Sequence, residues 1–210
     1  MKKCVLLVIL ALTLLTVSGC SSLDELSQFE RIVSTSVEMS DDLDVIESQD
    51  VTEQDINLLN TTVTIQLSSE TISLTNQEKI VMIRTLYQAI GLQRLENANL
   101  FEENKISFQI LKSNIVLFRE SDATLAQEDR TLITDYRVAV RDSRLSVLET
   151  KGSIKELVIQ VKENFDLDHL DLIITNFQEI LNILELRNEH LLLVRDNIEF
   201  VNLILLPYIA

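Results

Sequence analysis

Residues that turn a polypeptide chain are nearly absent from this sequence. It holds three glycines and one proline in 210 residues, and beyond Cys20 only Gly91, Gly152 and Pro207 remain. Tight turns and loops usually depend on these residue types, so a chain this poor in them has few turns and long uninterrupted elements. We therefore expect an all-α fold, an elongated antiparallel helical bundle of long coiled-coil-like helices.

Two segments space their apolar residues alternately three and four apart, which is typical of a coiled-coil seam. The first runs from Thr75 to the turn at Ser121 and the second from Asp168 to about Leu206. At 1.5 Å per residue these helices would be about 65 and 60 Å long. The second has one polar residue in its register, which is Leu170, Ile173, Phe177, Ile180, Leu184, Arg187, Leu191, Val194, Ile198, Val201 and Leu205.

Four further segments complete the predicted bundle. The first helix covers about 22–47, and the fourth and fifth, about 123–150 and 153–165, return end to end along the long helices. Segment 52–74 fits one helical face, but its alternating residues at 61–74 also fit a β-hairpin. The residues predicted to be buried by the fourth helix are Leu132, Tyr136, Ala139, Val140 and Val147.

The N-terminus has the segment order of a bacterial export signal. Lys2 and Lys3 precede the apolar run Val5–Val17, which is shorter than the roughly 20 residues that span a bilayer and suits a signal peptide. The run leads into Ser18, Gly19 and Cys20. This pattern resembles the lipobox of bacterial lipoproteins, and the resemblance covers residues 1–20 alone.

The resemblance implies a lipid-anchored protein. Residues 1–19 would be removed, and Cys20 would become an acylated N-terminus carrying chains such as palmitate. Residues 20–22 would form a short tether, and 23–210 a single helical domain on the extracytoplasmic face of a bacterial membrane. An ordinary secretory signal cut nearby and an uncleaved anchor are the alternatives. Loss of Cys4 with the signal would leave no partner for a disulfide.

The charge balance restricts the partners of such a domain. The whole chain has a formal charge of −15, and removal of two lysines with the signal makes it −17. Nucleic acid would be repelled by this charge, so we expect no nucleic-acid partner. A domain lying flat on anionic lipid would need basic residues instead. The excess of acid suits solubility near a crowded surface.

The sequence offers few residue patterns for catalysis or cofactor binding. The two histidines are His169 and His190, and neither lies in the paired Glu-x-x-His motifs of di-iron bundles. Asp166 with His169 could hold a transition metal or could start a capped, solvated helix, and we favour the cap. Phosphate-loop, nucleophile-elbow and calcium-loop patterns are absent from the sequence. We expect no enzyme, no cofactor and no metal.

The fourth predicted helix carries a stripe of four arginines, Arg130, Arg137, Arg141 and Arg144. We favour ion pairing with acids of a neighbouring helix, and a docking strip for an acidic partner is the alternative. The apolar stretch 200–206 at the end of the sixth helix is too short to cross a membrane. Such a helix end is usually buried and could otherwise contact a partner.

Polar residues interrupt the long seams near their middles. If the fourth helix folds back near Ser121 and the sixth reverses near Asp166, four polar residues from three helices would share one layer: Arg94, Asn97, Ser143 and Arg187. Buried arginine needs carboxylates, water or a bound anion. The layer would fix helix register, as single polar seam residues do, or would bind a ligand; Arg187 could also snorkel outward. We favour register.

Two function classes follow. The leading one is a non-enzymatic, membrane-anchored surface lipoprotein that binds or scaffolds another cell-envelope component. The alternative is a sensor or small-ligand receptor with a polar site between helices. Exposed apolar patches would favour the first class, and a buried cluster of polar side chains would favour the second.

Overall fold

A computed structural model of the protein describes residues 23–37 and 74–210. Over these ranges the fold is an all-α helical bundle, as predicted, with no strand. The signal and lipobox, and the segment 52–73 with its hairpin alternative, lie outside the described residues. The elements are α1 (23–37), α2 (Leu74–Glu120), α3 (Gln127–Glu149), α4 (Ser153–Glu163), a 3-10 turn (Leu167–His169) and α5 (Leu170–Ile209).

The described chain divides into two compact units, and α2 and α5 contribute to both. The first unit contains α1 with Phe101–Arg144 and Leu192–Ala210, and the second contains the first part of α2 with Leu145–Leu191. Helix α3 lies almost wholly in the first unit and α4 in the second. Each unit therefore has its own set of packed helices.

Helices α2 and α5 run in the same direction in each unit. In the second unit Lys79 bonds to Asp171 and Asn97 to Asn188, 92 and 91 residues later. In the first unit Glu103 bonds to Arg195 and Asn114 to Asn202, 92 and 88 residues later. A nearly constant offset between contacting residues within a unit means parallel helices. Helix α3 runs the opposite way, because Ala126 contacts Tyr208 whereas the later residue Tyr136 contacts an earlier part of α5.

Each unit has its own apolar core. Every position of the register predicted for the sixth helix, now α5, is buried. In the second unit α5 packs with Ile83 of α2 and Ile154 of α4. In the first unit it packs with Ile115 of α2, Ile133 of α3 and Phe29 of α1. Burying a large aliphatic or aromatic side chain contributes about 1.5–3 kcal/mol relative to leaving it exposed.

The face predicted for α3 is wrong at its first residue. Leu132 is 42% exposed, and Ile133 is fully buried instead. Ile133 lies three residues before Tyr136, and Val140 follows four residues after it, so these positions keep the alternating spacing of a seam. The next seam position is Ser143, which is buried although polar. Leu132 is one residue out of this register and faces solvent.

Candidate functional site

The polar residue in the α5 seam caps another helix. Arg187 is 3% exposed. Its Nε donates to Thr150 Oγ1 at 2.8 Å and its Nη2 donates to the Thr150 carbonyl at 3.1 Å. Thr150 follows the last residue of α3, where backbone carbonyls lack intrahelical donors and the helix dipole favours a cation. Arg187 therefore supplies both the donors and the charge that this helix end needs.

A pair of buried asparagines lies beside this arginine. Asn188 Nδ2 donates to Asn97 Oδ1 at 3.0 Å, and Asn97 Nδ2 donates to the Leu184 carbonyl at 3.0 Å. Both asparagine side chains are buried. These bonds tie α2 to α5 at one level of the second unit, which is how a polar seam position fixes register.

The four residues predicted to share a layer have different surroundings. Asn97 contacts Asn188, and Arg187 contacts Thr150. Arg94 is half-buried. Ser143 is buried and belongs to the first unit. In the second unit Thr150, which directly follows α3, contacts Arg187.

The connection between α2 and α3 explains this difference. The sequence placed the reversal at Ser121, but α3 begins at Gln127. The residues between them are not helical and add no helical rise. At any height along the bundle, the α3 residue beside α5 is therefore several residues later in sequence than the predicted one. That displacement fits the contact of Thr150 with Arg187.

A polar cleft of about 560 Å³ lies in the second unit beside this cap. Residues from the end of α3, from α4 and from α5 line it. They include Glu149, Glu156, Glu179 and His190, as well as Thr150, but no lysine or arginine. The Nδ1 atom of His190 is buried and has no hydrogen-bond partner among the described residues. Cavities of 300–1,000 Å³ are the size class of small-molecule sites.

The predicted arginine stripe serves several local contacts. Arg137 lies 3.5 Å from the Glu25 carboxylate of α1 and also donates to Gln28. Arg130 donates to the Leu125 carbonyl at 3.3 Å. Arg141 is more than half exposed, and its Nη2 lies 2.9 Å from the carboxylate of its sequence neighbour Asp142. At Arg137 the stripe is thus part of the surface on which α1 packs.

The Asp166 carboxylate caps the 3-10 turn before α5. It accepts hydrogen bonds from the backbone N–H groups of Asp168 and His169 at 3.0 and 3.1 Å. It also lies 2.7 Å from His169 Nδ1, and this side-chain bond lowers the pKa of Asp166. The capped-start interpretation fits these contacts. Within the described ranges no three His, Cys, Asp or Glu side chains are grouped as metal ligands.

Both units expose apolar side chains on the face of α2 that points away from the seam. Leu92 is 70% exposed and Leu95 60% in the second unit, while Ile106 and Ile110 are exposed in the first. Sequence reasoning followed the seam and missed this face. The sequence does contain a pattern that indicates this face: a second set of apolar residues, half a helical turn away from the seam residues.

No protein-family model matches the chain, and neither the curated proteins nor the solved structures contain a match. Among the helices that the structure describes, none combines the length and the hydropathy required to cross a membrane.

Proposed function

We propose that the protein is a non-enzymatic bacterial surface lipoprotein, anchored by acylated Cys20, whose helical domain binds or scaffolds another component of the cell envelope. The observation that carries the proposal is the packing of α1. Its first described residue, Leu23, is three positions after Cys20, and three residue steps span at most about 11 Å. An anchor at Cys20 would therefore hold the folded domain close to the membrane.

The contacts of α1 support a firm connection between anchor and domain. Leu26, Phe29 and Val33 are fully buried in the core of the first unit. Around them, Glu25 accepts a hydrogen bond from Thr134 Oγ1 at 2.7 Å, and Glu30 lies 3.3 Å from Arg119. A helix held by three buried side chains and by charged contacts can transmit the position of its N-terminus to the rest of the unit.

The two cysteines provide a matched test of the anchor. The full chain is expressed in a bacterial host together with Cys20→Ser and Cys4→Ser variants, and a clickable palmitate analogue is supplied. We expect the wild type and Cys4→Ser to incorporate the palmitate label and to be found in the membrane fraction. Cys20→Ser should lose the label. An intact mass that retains residues 1–19, or an unmodified Cys20, would contradict the anchor.

Binding of an envelope partner is supported by the exposed apolar face of α2. In the second unit Leu92 and Leu95 are more exposed than buried, as is common at protein interaction sites. A photo-crosslinking amino acid at position 92 should give one adduct of defined mass in intact cells. Leu95→Glu should abolish the adduct, whereas Gln88→Glu, one turn earlier on the same exposed face, should preserve it. Equal yields for both variants would exclude this face.

A small-ligand receptor is the second candidate, and the polar cleft favours it. Three glutamates in the lining favour a cationic ligand such as an organic amine. The chain has two histidines, so the imidazole NMR signal of His190 can be assigned with a His169→Gln variant. Titration with a diamine should shift the His190 signal. Glu179→Gln should weaken this response, and Glu189→Gln, which lies outside the lining, should not. Unshifted signals at saturating amine would exclude the cationic site.

A further inference from the structure

The last two turns of α5 expose a purely apolar stripe. Its members are Leu203, Leu206 and Pro207 of α5, which the spacing i, i+3, i+4 places on one helical face, and Ala210, which directly follows the helix. Leu203 is 60% exposed and Leu206 49%. No Asp, Glu, Lys or Arg follows Glu199, so no charged side chain interrupts the stripe. We call these four residues the terminal stripe.

Tyr208 holds the terminal stripe in place within the first unit. Its hydroxyl donates to the Asp129 carboxylate and accepts from the Ala126 backbone N–H at 3.0 Å. Its ring packs edge-on against Phe118, with centroids 6.0 Å apart. The last turn of α5 therefore lies beside the last turn of α2 and the first turn of α3.

Helix α1 starts at the same end of the first unit. Arg119, the neighbour of Phe118, donates to Ser27 Oγ at 3.2 Å and to the Glu30 carboxylate at 3.3 Å. Leu23, the first residue of α1, is also partly exposed. The C-terminal turn of α2 is thus contacted on one side by the early turns of α1 and on another by the last turn of α5.

We propose that the terminal stripe is a second membrane contact, which enters the interfacial layer of the phospholipid bilayer beside the lipid anchor. This inference rests on the proposed anchor at Cys20. Two residues separate Cys20 from Leu23, and the three residue steps from one to the other reach at most about 11 Å, so the bilayer lies within reach of this end of the unit. Apolar helix faces enter the headgroup boundary by about 5–10 Å.

The charge around the stripe determines which lipids it favours. Four exposed acids lie near this end, namely Asp24, Glu120, Asp122 and Glu128. Each is repelled by the negative surface potential of anionic lipid. The contact should therefore be strongest on zwitterionic phosphatidylcholine and should weaken as phosphatidylglycerol is added.

Tryptophan fluorescence provides a direct test because the chain contains no tryptophan. Leu203→Trp reports from the stripe. Ile106→Trp is the control, since Ile106 is exposed to a similar degree in the same unit. The 92-residue offset between contacting residues of α2 and α5 places Ile106 level with Ile198, so Ile106 lies about 8 Å farther than Leu203 from this end of the unit. Each acylated, full mature protein is reconstituted into phosphatidylcholine vesicles that contain brominated lipid. We expect at least about twofold stronger quenching for Leu203→Trp, with blue-shifted emission.

The outcomes separate the stripe from the anchor. Acylated, vesicle-bound protein with equal quenching for both variants would overturn the membrane contact and leave the anchor intact. Protein that carries no acyl chain and stays off the vesicles would contradict the anchor itself. A blue shift of Leu203→Trp that appears without vesicles and grows with protein concentration would instead assign the stripe to a second copy of the chain. Quenching that rises with phosphatidylglycerol would contradict the charge argument.

Discussion

At the scale of single residues, a buried arginine is retained where a helix end needs it. The Arg187 side chain belongs to an otherwise apolar seam. Its Nη2 donates to the Thr150 carbonyl that α3 leaves open, and its Nε donates to the Thr150 hydroxyl. Removal of one partner from a buried hydrogen bond is more damaging than replacement of both, because the remaining group stays desolvated. The arginine and the threonine should therefore act as a coupled pair.

A double-mutant cycle measures this coupling. Thr150→Val leaves the Arg187 Nε without its hydroxyl acceptor, so the free energy of unfolding should fall by about 1–2 kcal/mol. In an Arg187→Leu background the same Thr150→Val substitution should change it by less than about 0.5 kcal/mol. Chemical denaturation of a chain that comprises residues 21–210 gives the four values. Additive effects would show that the bond contributes nothing specific.

Tyr208 predicts a pH dependence at the end of α5. The hydrogen bond to Asp129 raises the pKa of Tyr208, because the neutral phenol is the donor. A folded-state pKa above the unfolded value means that the stabilisation is full below about pH 10, the unfolded value, and is lost as pH rises through the folded pKa. Tyr208→Phe should remove this loss of stability in alkaline thermal melts. An identical alkaline slope in the variant would contradict the assignment.

At the scale of helices, sequence periodicity predicted which residues of a helix are buried. It did not predict which residues of two helices contact each other, because that depends on the connection between them. The α5 register was correct at every position because one apolar stripe had to face the core. On α3, Leu132 and Ile133 are both apolar candidates for the buried position. Only the three-residue spacing from Ile133 to Tyr136 favours Ile133. Arg187 was identifiable as a polar seam residue, but its partner Thr150 was not, because that pairing depends on where the non-helical connection ends.

The polar cleft could not be predicted for the same reason. Its lining comes from the end of α3, from α4 and from α5, and the residues concerned are far apart in sequence. Glu156 and Glu179 each look like an ordinary solvated acid on a helix surface. Only the packing of the three helices brings them to one cavity.

Helix α1 should depend on its buried face more than on its charged contacts. Phe29 is fully buried in the first core, whereas Leu23 is partly exposed. Phe29→Ala should therefore lower the free energy of unfolding by about 3–5 kcal/mol, and Leu23→Ala by less than about 1 kcal/mol. Hydrogen exchange of residues 23–37 should accelerate in the first variant only. Unchanged protection in Phe29→Ala would show that α1 is held by other contacts.

At the scale of the whole molecule, negative charge is the dominant electrostatic feature. Residues 20–210 include 33 acidic residues against 16 basic ones. Several of the cations are in surface pairs such as Lys79–Asp171 and Arg119–Glu30, and exposed pairs contribute only about 0.2–1 kcal/mol each. About half of the acids have no basic residue to balance them, so repulsion among them opposes the compact state.

Salt should therefore stabilise this protein. The Debye length falls from about 30 Å at 0.01 M ionic strength to about 8 Å at 0.15 M, which screens repulsion between distant acids more than attraction within contacting pairs. We expect the Tm of the mature chain to rise across this range of sodium chloride. The double variant Glu120→Lys, Asp122→Lys makes the net charge less negative by four at exposed positions. Its Tm should rise less with added salt. A Tm that falls with added salt would mean that the ion pairs, and not the excess acids, govern the electrostatic free energy of folding.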